Sequence, residues 1–201
     1  MRILFVCTGN LCRSPVAERL AAGWARGSLA GSPELDRVEV LSAGLAAVQG
    51  RPMDPRSAQA LAELGGDSEG FTSRPLTPDL AASADLVFTM TRDQRRSVLA
   101  MVPRGLRSTF TLREAVDLLD RANLTGLRVL PLEQRARELG RRLDAARAQR
   151  PTRATDDIED PIGQRARVHE KVAGEIADAL RPLTSVLLAS VRAQPAVPLT
   201  G

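Results

Sequence analysis

The 201-residue chain contains no tyrosine, and four phenylalanines and one tryptophan are its only aromatic residues. Binding of single-stranded nucleic acid by stacking bases on rings has little to work with here. Lysine occurs once, at Lys171, and histidine once, at His169. The two cysteines, Cys7 and Cys12, lie too close together to staple a secreted scaffold, and they suit a reducing cytoplasm. Two Cys and one His do not close a four-ligand zinc site without carboxylates, so no metal is expected, and His169 reads as a bystander on a helix. No apolar run approaches the roughly 18 residues that a membrane span needs. The segment MRILFVC is too short in its apolar part for a signal peptide and lacks a small-residue cleavage site. It reads as a buried strand. Neither G-x-x-x-x-G-K-[ST] nor G-x-G-x-x-G is present, which removes the two commonest nucleotide loops, and there is no internal repeat.

What remains is the composition of a folded domain, with 43% hydrophobic and 26% charged residues. The length fits one domain with a full core. A net charge of +4 is carried almost wholly by arginine. Most of these charges are expected on solvated helix faces, although guanidinium is also the side chain best shaped for phosphate.

Short β-rich runs alternate with longer helical ones. Strands are expected at 2–6, 38–42, 85–90 and 107–110, and helices at 15–30, 54–64, 92–101 and 112–120. The helix at 54 opens with DPRS, an Asp cap followed by Pro at the first helical position. This alternation predicts an α/β fold, a parallel sheet covered on both faces. An Arg-rich insertion at about 122–156 breaks the rhythm, with Leu132, Ala136, Leu139 and Leu143 near helical spacing. PTRATDDIEDPIG then reads as an exposed loop, and a last helix runs from 165 to about 192, kinked or split at Pro182. One domain over 1–192 is expected, followed by a disordered tail at 193–201.

The stretch CTGNLCRS, residues 7–14, carries the chemistry. It lies between the first strand and the first helix, where parallel sheets bind ligands. A loop coiled there aims successive amides at an anion, and the helix N-terminus adds partial positive charge. Gly9 is expected to let the backbone turn and approach closely. Arg13 offers a two-pronged grip on a tetrahedral oxyanion. The donors that hold phosphate also stabilise a thiolate at Cys7, and Ser14 is placed to donate to the sulfur. A thiolate beneath a captured phosphoryl group is set for in-line attack. The leaving oxygen then needs a proton. Asp156, Asp157, Glu159 and Asp160 all stand in the acidic loop, with Asp160 favoured because Pro161 stiffens the backbone and Gly163 permits a turn.

ILFVCTGNLCRSPVAE, followed in order by SAG at 42–44, GRPMDPRSAQAL, ADLVFTMT and DPIG, resembles the low-molecular-weight protein tyrosine phosphatases. The resemblance runs from residue 3 to about 190, apart from the insertion. It implies a four-stranded parallel sheet with helices on both faces. It further implies Cys7 as nucleophile, Arg13 with Thr8, Gly9, Asn10, Leu11, Cys12 and Ser14 as phosphate cradle, and Asp160 as general acid. Asn10 would hold the loop's shape with Ser42 in support, and Cys12 would be a thiol able to pair reversibly with Cys7. No metal or organic cofactor is implied. The substrate would be a phosphorylated protein or a small aryl phosphate, with no nucleic acid or membrane partner.

Tyrosine-directed members of the family generally carry aromatic residues after the DP pair and after SAG, where this chain has Ile162, Gly163 and LAAVQG. A branch acting on phosphoarginine has Thr in place of Leu11, which is closer to the Ile of tyrosine-directed members. Thiol-coupled arsenate reduction uses the same loop and needs further redox thiols; none lies downstream here, so a low-molecular-weight thiol would substitute in that alternative. A phosphoprotein-binding module without catalysis would need neither Cys7 nor Asp160.

Overall fold

A computed structural model describes residues 1–189 of the chain. The expected tail at 193–201 lies outside the described residues. Four strands, β1 (Arg2–Cys7), β2 (Glu39–Gly44), β3 (Leu86–Thr89) and β4 (Thr109–Thr111), form one parallel sheet in the order β2-β1-β3-β4. The period-two geometry of β1 divides its side chains between two cores. Ile3, Phe5 and Cys7 join the larger one, whereas Leu4 and Val6 join the smaller. Phe5 and the β3 residue Phe88 stack with ring centroids 5.7 Å apart.

The larger core is closed by α1 (Arg13–Ser28), α2 (Pro55–Glu63), α5 (Leu112–Leu119), α6 (Leu132–Ala146) and α7 (Ala166–Leu187). The smaller is closed by α3 (Pro78–Ser83) and α4 (Arg92–Met101). Local signals account for several helix starts. Asp54 accepts from the amides of Arg56 and Ser57 to cap α2, while Thr91 and Thr111 each form a capping box with a residue three places on. Thr77 and Pro78 open α3 in the same way, a helix the sequence reading omitted.

Several expectations need correction. Helix α1 starts at Arg13 rather than Pro15, which puts Arg13 and Ser14 in its first turn. Strand β4 begins at Thr109 because Pro103–Arg107 winds into a 3-10 turn. Helix α7 is not split at Pro182. Proline removes one backbone hydrogen bond there, but Ala179, Leu180, Leu183 and Leu187 stay buried on either side and hold the helix together. The loop before α7 is not simply exposed, since Asp156, Ile158 and Pro161 are buried. The insertion is also part of the core. Leu132, Ala136, Leu139, Leu143 and Ala146 of α6 all join the larger cluster. The fully buried Arg135 donates to the carbonyls of Arg128, Leu130 and Leu187, tying α6 to the end of α7. Burial lowers the pKa of its guanidinium. No helix among the described residues is long and apolar enough to cross a membrane.

Candidate active site

Residues 7–13 coil at the carboxyl end of β1. The carbonyls of Cys7 and Thr8 accept from the amides of Leu45 and Ala46 at 3.0 and 2.9 Å, and Leu11 O accepts from Asp54 N at 2.9 Å. Cys12 O accepts from Val16 N at 3.2 Å. In a trans peptide the carbonyl and the following N–H point in opposite directions. The amides of Thr8, Gly9, Cys12 and Arg13 are therefore turned away from those partners. No side chain caps the N-terminus of α1 at Cys12, so its first-turn donors are not consumed there.

Asn10 fixes this curvature. It is the one described non-glycine residue with positive φ, +53°, a conformation that asparagine tolerates. Its Nδ2 donates to Ser14 Oγ at 3.0 Å and to Ser42 Oγ at 2.8 Å, and its Oδ1 accepts from Arg74 N at 2.8 Å. Ser42 in turn donates to Glu18 Oε2 at 2.6 Å. Burial raises the Glu18 pKa, with the Ser42 hydrogen bond opposing the shift. Gly9 does not make the turn through a left-handed backbone, since its φ is not positive, and among protein atoms a Cβ there would meet only Leu11, at 3.9 Å. The close approach falls to Gly44 instead. A Cβ at Gly44 would lie 2.6 Å from Thr8 O and 2.9 Å from Asn10 N, which gives the SAG segment its steric reason.

Cys7 Sγ lies 3.0 Å from Ser14 Oγ and receives the Asn10 amide at 3.3 Å. It lines a cavity of about 150 Å³ with Thr8, Gly9, Leu11, Cys12, Arg13, Asp160 and Ile162. Arg13 donates through Nη1 to Ile158 O at 3.0 Å and through Nη2 to Asp160 Oδ2, while its buried Nε has no hydrogen-bond partner among the described residues. An anion in the cup is the partner such a donor calls for. Asp160 Oδ1 accepts from Ile162 N at 3.2 Å across Pro161, and Gly163 turns the chain with φ +74°. The other three acids of the loop are engaged elsewhere. Asp156 pairs with Arg150, Asp157 with Arg92, and Glu159 reaches Lys171 at 3.5 Å.

The profile of the "Low molecular weight phosphotyrosine protein phosphatase" family matches residues 2–126. The chain belongs to this family. It is 38% identical over 112 residues to a "Probable low molecular weight protein-tyrosine-phosphatase EpsP" of Ralstonia solanacearum, covering 56% of this chain and 70% of the relative. It is 39% identical over 125 residues to a "Protein-arginine-phosphatase" of Bacillus subtilis, covering 60% of this chain and 79% of that one. Among solved structures, "YwlE arginine phosphatase - C7S mutant with phosphorylated active site serine" superposes with a TM-score of 0.67 at 30% identity, over 96% of this chain and 99% of that one. The four-stranded parallel fold is thus the fold of the low molecular weight phosphatases.

Of the residues singled out from the sequence, Cys7, Thr8, Gly9, Leu11, Cys12, Arg13 and Asp160 line one cavity, and Asn10, Ser14 and Ser42 are hydrogen-bonded to one another behind it, whereas Asp156, Asp157 and Glu159 are paired elsewhere. The contacts of four further residues escaped the sequence reading: Glu18, Gly44, Arg74 and Gln94. Gln94 Nε2 donates to Thr8 Oγ1 at 3.1 Å while its Oε1 accepts from the Met90 and Thr91 amides. The capping-box spacing at Thr91 was the available signal for Gln94. His169 is not a surface bystander. It is buried, with Nδ1 2.8 Å from Ser57 Oγ and 3.5 Å from Asp54 Oδ1. Cys12, Asp54 and His169 therefore share one locus within 4.8 Å, which supplies the carboxylate the sequence reading had left out. Asp54 Oδ1 caps α2 and His169 Nδ1 faces Ser57 Oγ, while the buried His169 Nε2 has no hydrogen-bond partner among the described residues. Burial pushes the Cys12 thiol up to about 12, which keeps it protonated at neutral pH.

Proposed function

We propose that this chain is a phosphomonoester hydrolase, a protein-tyrosine phosphatase acting through a cysteinyl-phosphate. One observation carries the reading: Cys7, Arg13 and Asp160 line a single cavity beneath which Asn10 and Ser14 engage the sulfur. In the first step Cys7 Sγ attacks phosphorus, the ester P–O bond breaks, and Asp160 gives its proton to the leaving oxygen. Arg13 and the loop amides hold the charge on the equatorial oxygens. In the second step Asp160, now a carboxylate, takes a proton from water. The hydroxide attacks phosphorus, the S–P bond breaks, and phosphate leaves with the thiolate restored and one water consumed. Thr8, Gly9, Asn10, Leu11, Cys12 and Ser14 complete the cradle, with Ser42 supporting Asn10.

The test is hydrolysis of an aryl phosphate in the presence of a chelator. Cys7→Ser abolishes turnover and Asp160→Asn slows it by about 10²-fold or more. Full activity in Cys7→Ser refutes the proposal.

A second reading, phosphoarginine as substrate, is favoured by the cavity walls. These are Leu11 and Ile162, without rings to sandwich a phenyl group. The likeness to arginine phosphatases supports it, whereas Leu11 itself favours the tyrosine-directed reading. Comparing kcat/KM for phosphotyrosine and phosphoarginine peptides separates the two. Both cysteines are free thiols, which accords with a reducing, cytoplasmic setting. Residues 1–192 are read as one phosphatase domain that includes the insertion.

A further inference from the structure

The acidic loop is anchored residue by residue to three different elements. Arg150, near the end of the insertion, has a side chain 4% exposed and takes the 2%-exposed Asp156 with both terminal nitrogens, Nη1 at 3.0 Å from Oδ2 and Nη2 at 2.5 Å from Oδ1. Its Nε donates to Asp117 Oδ2 on α5. The Arg153 amide closes on the same carboxylate at 2.9 Å. Asp157 Oδ1 accepts from Arg92 N at 2.7 Å, and Arg92 Nη2 reaches Oδ2 at 3.0 Å, which fastens the next residue to α4. Ile158 N donates to Met90 O at 2.8 Å, at the end of β3. Two residues further on stands Asp160.

We propose that Arg150 is a positioning residue for the general acid, and that this is what the insertion contributes to the reaction; the proposal rests on the reading of Asp160 given above. A planar fork on a carboxylate fixes orientation as well as distance, which a single ammonium contact does not. Both partners are removed from solvent, so the pair is not one of the exposed ion pairs that contribute little. Arg150 holds Asp156 against α5 and thereby sets where the chain enters the turn at 157–160. Displacements of about 1 Å at a reacting group cost up to about 10²-fold in rate, so this entry point bears directly on proton delivery. Asp160 itself is 41% exposed at its side chain and is held by Arg13 and its own local turn, so its reach depends on where the preceding residues are fixed.

The experiment compares kcat/KM, which reports steps through the first P–O cleavage, for phenyl phosphate and 2,4-dinitrophenyl phosphate. Phenolate needs a proton to leave, whereas dinitrophenolate does not. Arg150→Met is expected to lose about tenfold or more on phenyl phosphate and less than about threefold on the dinitrophenyl ester. Arg150→Lys is expected to recover part of that loss. Since Asp156 would be left buried without its partner, Arg150→Met/Asp156→Asn is scored in the same way as a variant with no stranded charge. Equal losses on both esters, or no loss on either, overturn the proposal. Asp160→Asn run beside them must itself show the leaving-group selectivity. If it does not, the general-acid assignment fails first and takes the role of Arg150 with it.

Discussion

Asn10 Nδ2 lies 2.8 Å from Ser42 Oγ, and this contact ties the cup after β1 to the neighbouring strand β2. Every polar atom of the Asn10 amide is engaged, with Ser14 and Ser42 below and Arg74 beside it. The left-handed turn is therefore held by side-chain bonds rather than by backbone freedom. Replacing Asn10 with Ala strands the Arg74 amide and keeps an unfavourable φ. We expect a loss of about 1–3 kcal/mol in urea unfolding and a fall in kcat of more than about tenfold. A variant with wild-type kcat would show that the cup keeps its shape without the amide.

Two glycines flank the same loop with opposite steric surroundings. Gly44→Ala forces a methyl against Thr8 O and Asn10 N, at 2.6 and 2.9 Å before relaxation, and both atoms are backbone. The cup must move, so phosphate affinity and kcat/KM fall while far-UV dichroism stays native. Gly9→Ala meets only Leu11 at 3.9 Å and is expected to leave the unfolding midpoint unchanged. Inhibition by inorganic phosphate and thermal melts of the two variants check this contrast. Equal effects would refute it.

The two thiols differ in what surrounds them. Cys12 is buried beside Asp54 and His169 with its pKa pushed up to about 12, so it is a poor nucleophile at neutral pH. Iodoacetamide at pH 7 should therefore attach one equivalent, at Cys7, and inorganic phosphate should protect against it. Peptide mapping by mass spectrometry decides. Label found first on Cys12 would contradict the buried, hydrogen-bonded placement.

Glu18 links the pH dependence of stability to the cup. Its folded pKa lies above the unfolded value of about 4.3. The folded state thus binds the extra proton, and stability from this group is full below that pH and lost as pH rises through the folded pKa. Glu18→Gln keeps an acceptor for Ser42 without the buried charge. Relative to wild type it should gain stability as pH is raised from about 4 to 8. Chemical denaturation at several pH values measures the difference, and a gain on going to acid instead would refute the assignment.

Strand β1 and the cup were readable because a continuous apolar run followed by a polar, Gly-containing turn leaves few alternatives. The caps of α2 and the sheet order's parallel sense followed from equally local chemistry. Other features depend on neighbours far along the chain. Gly9 and Asn10 both suit a turn, and it is Asn10, whose side chain meets Ser14, Ser42 and the distant Arg74 amide, that takes the left-handed conformation. The burial of Arg135 and Arg150 was hidden for a related reason. Arginine in a helical, Arg-rich segment resembles any solvated face until carbonyls from the end of α7, or the carboxylates of Asp117 and Asp156, arrive to receive it. His169 stands three, four and seven places before Val172, Ala173 and Ile176, so helical spacing already put it on the buried face of α7.

The ion pair between Arg13 and Asp160 joins positions 147 apart in the chain. Such a contact closes only after the crossovers that build a parallel sheet, which makes it among the most non-local and slowest to form. During synthesis the loop that carries Cys7 and Arg13 emerges first, while Asp160 waits for nearly the whole described chain. The two halves of the site therefore meet only when α7 docks on α1, α2 and α5 and closes the larger core.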